Sequence, residues 1–259
     1  MRVLFIGDIV GRPGLEFTAA VLARHYSEWH PDLVVANGEN ACASGRGLSP
    51  RVAERLYEAG VELLTLGNHT WDQKELIDYI DSDARIVRPA NYPKGTPGRG
   101  FTLCPVNGTP VLLINVMGRT FLSQLDCPFR AVDEILQEHP QVRHVLVDIH
   151  AETTSEKLAM GWHLDGRVSA VLGTHTHVQT ADERILPQGT AMITDVGMVG
   201  PRNGILGMDR MRILRKMLTH MPERFTVADG PCQFCAVLLD LDDKTGKANH
   251  IERILIFES

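Results

Sequence analysis

Short runs of Val, Ile and Leu punctuate the chain at Val3 to Ile6, Leu33 to Val35, Leu63 to Leu66, Val111 to Val116, Val145 to Ile149 and Ala170 to Leu172, then at Ala191 to Thr194, Ala236 to Leu241 and Ile254 to Phe257. Brief apolar runs rich in β-branched residues, without polar alternation, predict strands buried on both faces. Helical spacing fills intervening stretches: Leu15 to Trp29, Arg51 to Ala59, Gln73 to Ile80, Phe129 to Glu138 and Met208 to Met217. Strands alternating with helices predict a layered α/β fold, central sheets flanked by helices. Ser49-Pro50 reads as a helix cap followed by a proline at the first helical position, with Gly60 as terminator. Asp242 to Lys247 reads as a hairpin turn between two final strands. The Pro/Gly-rich piece from Pro89 to Gly100 carries aromatic residues and reads as a structured loop. With no repeat, low-complexity tract or linker, one domain over residues 1–259 is predicted.

Composition narrows the setting. No run approaches the ~20 apolar residues of a spanning helix, and the opening apolar run meets Asp8 too soon for an export signal, so a soluble cytoplasmic protein with no membrane partner is expected. Five cysteines, an odd number widely scattered, argue for free thiols. Cys232-Gln233-Phe234-Cys235 lacks the second pair or histidines of a zinc site and reads as strand-edge packing. A net charge of −6 without a Lys/Arg run supplies no footprint for long nucleic acid. A small anion needs only a local positive site, which bound metal ions can supply.

Candidate chemistry lies where the apolar runs stop. Asp8 follows the first strand, Glu39-Asn40 the second and Asn68-His69 the third; His150 ends the Val145 strand, and His175 and His177 follow the Ala170 strand. In α/β sheets ligands bind at the carboxyl ends of strands. Singly, each has a plainer reading: Asp8 as a turn residue, Glu39-Asn40 as a solvated loop, His150 or His175 as a satisfied core histidine, Asp72 as a helix N-cap. Jointly, five strand ends in carboxylate, amide or imidazole point to a metal site. Oxygen and imidazole donors without thiolate suit manganese, iron or zinc and argue against calcium. An extended His175-x-His177 would aim both rings to one side. Paired ions ~3.5–4 Å apart suit in-line displacement at phosphorus.

At these residues the sequence resembles a known group. Gly7-Asp8, Gly67-Asn68-His69, His150 and Gly173-Thr174-His175-Thr176-His177 are similar to the ordered motifs of calcineurin-like metallophosphoesterases. More closely, Gly7-Asp8-Ile9-Val10-Gly11-Arg12-Pro13-Gly14, Asn37-Gly38-Glu39-Asn40, Arg88-Pro89-Ala90-Asn91-Tyr92-Pro93, Asp148-Ile149-His150-Ala151-Glu152 and the run from Gly173 to Asp182 resemble the bacterial YmdB-like phosphodiesterase family. Val10 stands where the wider superfamily has the histidine of Asp-x-His, and Glu39 where it has a bridging Asp; both departures are features of the narrower family.

The resemblance implies a layered metallophosphoesterase fold with a dinuclear site at the strand carboxyl ends. Asp8, Glu39, Asn40 and His177 would hold one ion, and Glu39, Asn68, His150 and His175 the other, with Glu39 bridging. It further implies two divalent ions, iron or manganese favoured over zinc, and hydrolysis of small phosphodiesters, 2′,3′- or 3′,5′-cyclic nucleotides foremost. Water activated at the metals would attack phosphorus while His69, beside ligand Asn68 but not itself a ligand, protonates the departing sugar oxygen. Asp148, two residues before His150, is either its orienting partner or a satisfied core acid. Asp195 to Gly204, with Arg202, reads as a plain loop before a phosphate contact. A sensor of a phosphorylated ligand with little turnover, and a phosphomonoesterase or nucleotidase on the same centre, remain open, as does assembly into homo-oligomers. A dinucleotide-binding oxidoreductase does not fit, because Gly7, Gly11 and Gly14 lack the Gly-x-Gly-x-x-Gly spacing.

Overall fold

Alternate residues of each strand enter different hydrophobic cores, and this fixes the layering. In a computed structural model, which describes residues 1–258, Val3 and Phe5 of β1 (Arg2–Ile6) join one core while Leu4 and Ile6 join another. Period-two alternation with both faces apolar requires a cover on each side. The elements that follow are β2 (Asp8–Ile9), α1 (Gly11–Trp29), β3 (Leu33–Asn37), α2 (Pro50–Glu58), β4 (Leu63–Thr65), α3 (Lys74–Tyr79) and β5 (Ile86–Val87). Next come β6 (Phe101–Val106), β7 (Thr109–Met117), α4 (Pro128–Glu138), β8 (His144–His150), α5 (Thr154–Leu164), β9 (Ala170–Thr174), β10 (Arg184–Ile185) and β11 (Ala191–Ile193). The chain ends with β12 (Met198–Pro201), α6 (Arg210–Thr219), β13 (Cys232–Leu241) and β14 (Ala248–Phe257).

Among the described residues these form an eight-stranded sheet in the order β2-β12-β13-β1-β3-β4-β5, with β14 on β13, and a six-stranded sheet in the order β10-β11-β9-β8-β7-β6. The central core lies between the sheets: Val3, Phe5, Val35 and Leu63 face Val111, Leu113, Leu146 and Leu172. Helices α1 to α3 cover the outer face of the larger sheet, where Leu15, Leu22, Leu56 and Leu76 meet Leu4, Ile6 and Val34. Helices α4 and α5 cover the smaller, with Val132, Ile135, Met160 and Leu164 on Leu112, Ile114 and Val147. The result is the expected layered α/β architecture. No helix among the described residues is long and apolar enough to cross a membrane.

Local signals held where a specific bond enforces them. Ser49 Oγ accepts from the Val52 amide and Pro50 opens α2, while Gly60 beyond its end has φ +101°. The final hairpin turns where expected. The Pro89 to Gly100 loop is built around Arg88, whose guanidinium donates to the carbonyls of Pro89, Thr96, Pro97 and Gly98. Cys232 and Cys235 are buried free thiols on β13, a strand hydrogen-bonded to β1, β12 and β14, so edge packing is corrected to interior packing. Four residues of the expected Asp195–Gly204 loop form β12, and Arg202 lies over the Phe257 ring at 4.5 Å.

Strands β1, β3, β4 and β5 run parallel, as do β7, β8, β9 and β11. Their carboxyl ends therefore collect the polar residues on one edge of each sheet.

Candidate metal centre

The two edges meet at a buried polar group contributed by both sheets. Asp8 follows β1, Glu39 and Asn40 follow β3, and Asn68 and His69 follow β4; His150 closes β8, and His175 and His177 follow β9. Asp8, Glu39, Asn40 and His150 are buried, whereas Asn68, His69, His175 and His177 are partly exposed, the last three lining a cleft. Glu39 Oε1 lies 3.0 Å from His150 Nε2, which is also 3.0 Å from Asn68 Oδ1. His177 Nε2 is 3.6 Å from Asp8 Oδ1, and the His150 and His175 ring centroids are 4.7 Å apart. Ligand atoms of Glu39, His150 and His175 all fall within 4.8 Å of one another. The structure thus draws Glu39, His150 and His175 to one point, with Asn68 against His150 and Asp8 beside His177; Asn40 lines the same cleft as Glu39, His175 and His177.

Two observations show that this group fits a cation. Asp8 Oδ1 and Asn40 Oδ1 are buried with no hydrogen-bond partner, an arrangement that costs about 1–3 kcal/mol per atom, more for a charge, unless something pairs with it. The cavity is also kept open beside Gly67, since a Cβ there would sit 2.3 Å from His150 Nε2 and 2.5 Å from Glu39 Oε2. Oxygen and imidazole donors of this kind suit first-row divalent ions.

Electrostatics point the same way. Burial opposes ionisation of Glu39, yet the adjacent His150 holds its carboxyl below the usual range. Burial likewise disfavours a charged His150, but Glu39, then Asp8, carry its pKa up to about 9. His175 is pushed down to about 3 by burial and by the positive His150 beside it. At Asp8 burial is overcome by His177, and the carboxyl falls well below normal. The pocket is anionic and favours positive charge on two rings, His150 beside Glu39 and His177 beside Asp8; divalent ions would satisfy the same field and leave the imidazoles neutral for ligation.

The surrounding shell departs from the sequence-based reading in three places. The His175-Thr176-His177 segment is not extended: β9 ends at Thr174, and His175 and His177 take φ of +97° and +63°. Such backbone persists only where its surroundings impose it. Here Asp195 Oδ2 accepts from the Thr176 amide at 3.1 Å and from Thr176 Oγ1 at 2.6 Å, and is itself paired with buried Lys157 at 2.7 Å. Asp148 reaches His150 through an intermediary, since Thr174 Oγ1 donates to Asp148 at 2.7 Å and lies 2.9 Å from His150 Nδ1. Its burial lifts its pKa to about 6. Asp72 is not the cap of α3, whose cap position is Gln73; its carboxylate instead lies 3.0 Å from His69 Nδ1 and 2.8 Å from Arg46 Nε.

His69 itself stands apart from the ligand atoms. Its amide donates to Glu39 Oε2 at 2.8 Å, and Nδ1 is taken up by Asp72 Oδ2 at 3.0 Å and Arg46 Nε at 3.2 Å, so Nε2 is the ring nitrogen left for a ligand. Sequence reasoning gave no role to Asn37, Glu152 or Thr174, which it met only inside motifs, and passed over Arg46 and Lys157. Asn37 Nδ2 donates to Asp148 at 3.2 Å while its Oδ1 accepts from the Glu39 amide; Glu152 Oε2 meets His175 Nε2 at 3.0 Å. Asn37 and Thr174 each end an apolar strand, the same signal that singled out His150, but neither carries a charge to draw notice.

Comparison with known proteins finds relatives over nearly the whole chain. The family model described as YmdB-like protein matches residues 4–254. The chain is 52% identical to the 2′,3′-cyclic-nucleotide 2′-phosphodiesterase of Bacillus subtilis (strain 168), over 99% of this chain and 97% of that one. A crystal structure described as a novel phosphatase from Mycoplasma pneumoniae superposes with a TM-score of 0.95 at 35% identity, covering 100% of this chain and 94% of that one. A hypothetical protein from Thermus thermophilus superposes with a TM-score of 0.94 at 47% identity, covering 100% of both chains.

Proposed function

As this chain belongs to the YmdB-like family, we propose that it is a dinuclear metal-dependent phosphodiesterase that opens small cyclic phosphodiesters, with 2′,3′-cyclic nucleotides as its substrate class. The observation that carries this reading is the convergence of Glu39, His150 and His175 on one point at the side of a cleft that also exposes His69. The activity of the Bacillus subtilis relative supports the choice of substrate. Asp8, Glu39, Asn40 and His177 would hold one divalent ion and Glu39, Asn68, His150 and His175 the other, with iron or manganese favoured. Bound ions would supply an activated water and withdraw charge from the phosphoryl oxygens.

The chain's own residues provide the rest. Asn37 fixes Glu39 through its backbone amide, and the Asp148–Thr174 pair fixes the His150 ring through Nδ1. Partners of this kind set tautomer and orientation. Attack of water on phosphorus forms one P–O bond and breaks the bond to the ribose 2′ oxygen, which must receive a proton as it leaves. His69 Nε2 supplies that proton. Asp72 lies against the opposite nitrogen, and Arg46 from the cleft wall contacts both Asp72 and that nitrogen, fixing the ring's orientation. The products are a ribose 2′ hydroxyl and a 3′ phosphomonoester.

General acid catalysis contributes ~10²–10⁴-fold, so His69→Ala should lower turnover of a 2′,3′-cyclic nucleotide by that factor and leave bound metal unchanged by elemental analysis. A variant as active as the parent would remove His69 from the mechanism. Protein that binds no metal after reconstitution with iron or manganese would overturn the reading as a whole.

A further inference from the structure

The wall of the cleft that faces the candidate metal centre has a different chemistry. The cleft, about 930 Å³, lies near the upper end of the ~300–1,000 Å³ range of ligand pockets. One side is polar, with Glu39, His69, His175 and His177. The other is an arm spanning residues 205–225, whose Leu206, Met208, Ile213, Lys216 and Phe225 line the cavity. The arm is tied to the centre directly, because the Leu206 carbonyl accepts from His177 Nδ1 at 3.1 Å. Its own geometry is built: Asp209 caps α6 by accepting from the Met211 and Arg212 amides, and Arg212 Nη1 donates to the Arg224 carbonyl at 3.1 Å, anchoring the residue before Phe225. Lys216 Nζ lies over one face of the Phe225 ring, 5.0 Å from its centroid, and Leu206 is 45% exposed.

With divalent ions bound at the centre, a ligand filling this space would present an anionic group to them and a flat, largely apolar group with hydrogen-bond acceptors to the arm. A nucleoside phosphate does both. Building on the diesterase reading, we propose that the arm is the nucleobase subsite, with Phe225 as the stacking platform, Leu206 packing the base edge nearest the metals and Lys216 donating to base acceptors. Stacking on an aromatic ring is tolerant of base identity because every base has a π-face. The enzyme should therefore require a base and discriminate weakly among bases.

The test compares adenosine 2′,3′-cyclic phosphate with 1-O-methylribose 2′,3′-cyclic phosphate, which carries the same ester and no base, using wild type, Phe225→Ala and Phe225→Tyr. The ratio of kcat/KM for the nucleotide over the base-free ester should fall about tenfold in Phe225→Ala, the size of one lost stack, chiefly through KM, and recover in Phe225→Tyr. A ratio unmoved by Phe225→Ala overturns the subsite, including the case where both substrates lose activity together because Phe225 merely supports the fold. Calorimetric titration with adenosine 3′-phosphate separates this from the diesterase reading. If wild type cleaves neither ester, that reading fails, while about tenfold weaker binding of the monoester by Phe225→Ala still supports the subsite and unchanged binding overturns it.

Discussion

Asp8 and Asp83 are both nearly inaccessible to solvent, at 0% and 6% exposure, and each has its pKa lowered against the effect of burial. Their surroundings differ in completeness. Asp83 Oδ1 accepts from the Arg85 amide and Nε at 3.0 and 2.9 Å, and Oδ2 accepts from the hydroxyls of Tyr57 and Tyr79 and from Arg85 Nη2 at 3.0, 3.2 and 3.1 Å. Asp8 Oδ2 accepts one bond, from the His175 amide, and Oδ1 has no hydrogen bond, with His177 Nε2 standing off at 3.6 Å. A structural acid brings its own cation and fills its lone pairs, whereas an acid in a binding centre keeps an atom free for a cation from outside. The difference separates stability from chemistry, and four substitutions test it.

The largest effect is expected at Glu39. Glu39→Gln keeps the size of the side chain and removes the charge proposed to bridge two ions, so activity should fall to background and bound metal to less than one ion per chain by elemental analysis, with an unchanged circular dichroism spectrum. Full metal content in this variant would break the comparison at its centre. Lys157→Met comes next, because it leaves buried Asp195 unpaired. Removing one partner of a buried pair costs about 3–5 kcal/mol, and loosening the turn that carries His175 and His177 should weaken metal affinity by ~10–100-fold. Chemical denaturation and a metal titration read the two losses separately, and unchanged affinity would show that the turn holds without the pair.

Asp83→Asn should act on stability alone, by about 2 kcal/mol given charged hydrogen bonds worth ~1.5–3 kcal/mol, with activity per folded molecule intact. Its pH dependence has a definite sign. The folded carboxyl is depressed, so its contribution is complete above the unfolded value of about 3.9 and is lost as pH falls through the folded value. The gap in melting temperature between wild type and variant should therefore close on acidification below about pH 4; a gap independent of pH would locate the effect elsewhere. The smallest change belongs to Asp133→Asn. Its carboxylate pairs with Arg167 at 2.7 Å and His163 at 3.0 Å on a partly exposed face, where such pairs contribute ~0–1 kcal/mol. A large loss of melting temperature there would mean that partner number matters more than burial.

Much of this was legible in the sequence because it follows from strand periodicity. The layered architecture came from runs such as Val3 to Ile6 and Val111 to Val116, and the metal-binding candidates from the polar residues that end them. What escaped depends on contacts between distant segments. Helix α5 was not anticipated because Lys157 occupies a buried position and breaks its apolar stripe. Strand β14 was expected only from Ile254, since its first half alternates exposed His250 and Glu252 on an outer face. The left-handed His175–His177 turn depends on Asp195, some twenty residues downstream, and the role of Asp72 on Arg46. Neither pairing leaves a trace in local composition. The helix α6 segment was placed within two residues, its start set by the Asp209 cap.

The seam between the sheets gives the centre a mechanical aspect. Asp8, Glu39, Asn40 and Asn68 come from the larger sheet, His150, His175 and His177 from the smaller. An ion held by both would rivet the two halves together, stabilising the fold in proportion to the logarithm of its free concentration over its dissociation constant. Melting temperature would then serve as an occupancy gauge: rising with added iron or manganese, falling with a chelator, and flat in Glu39→Gln.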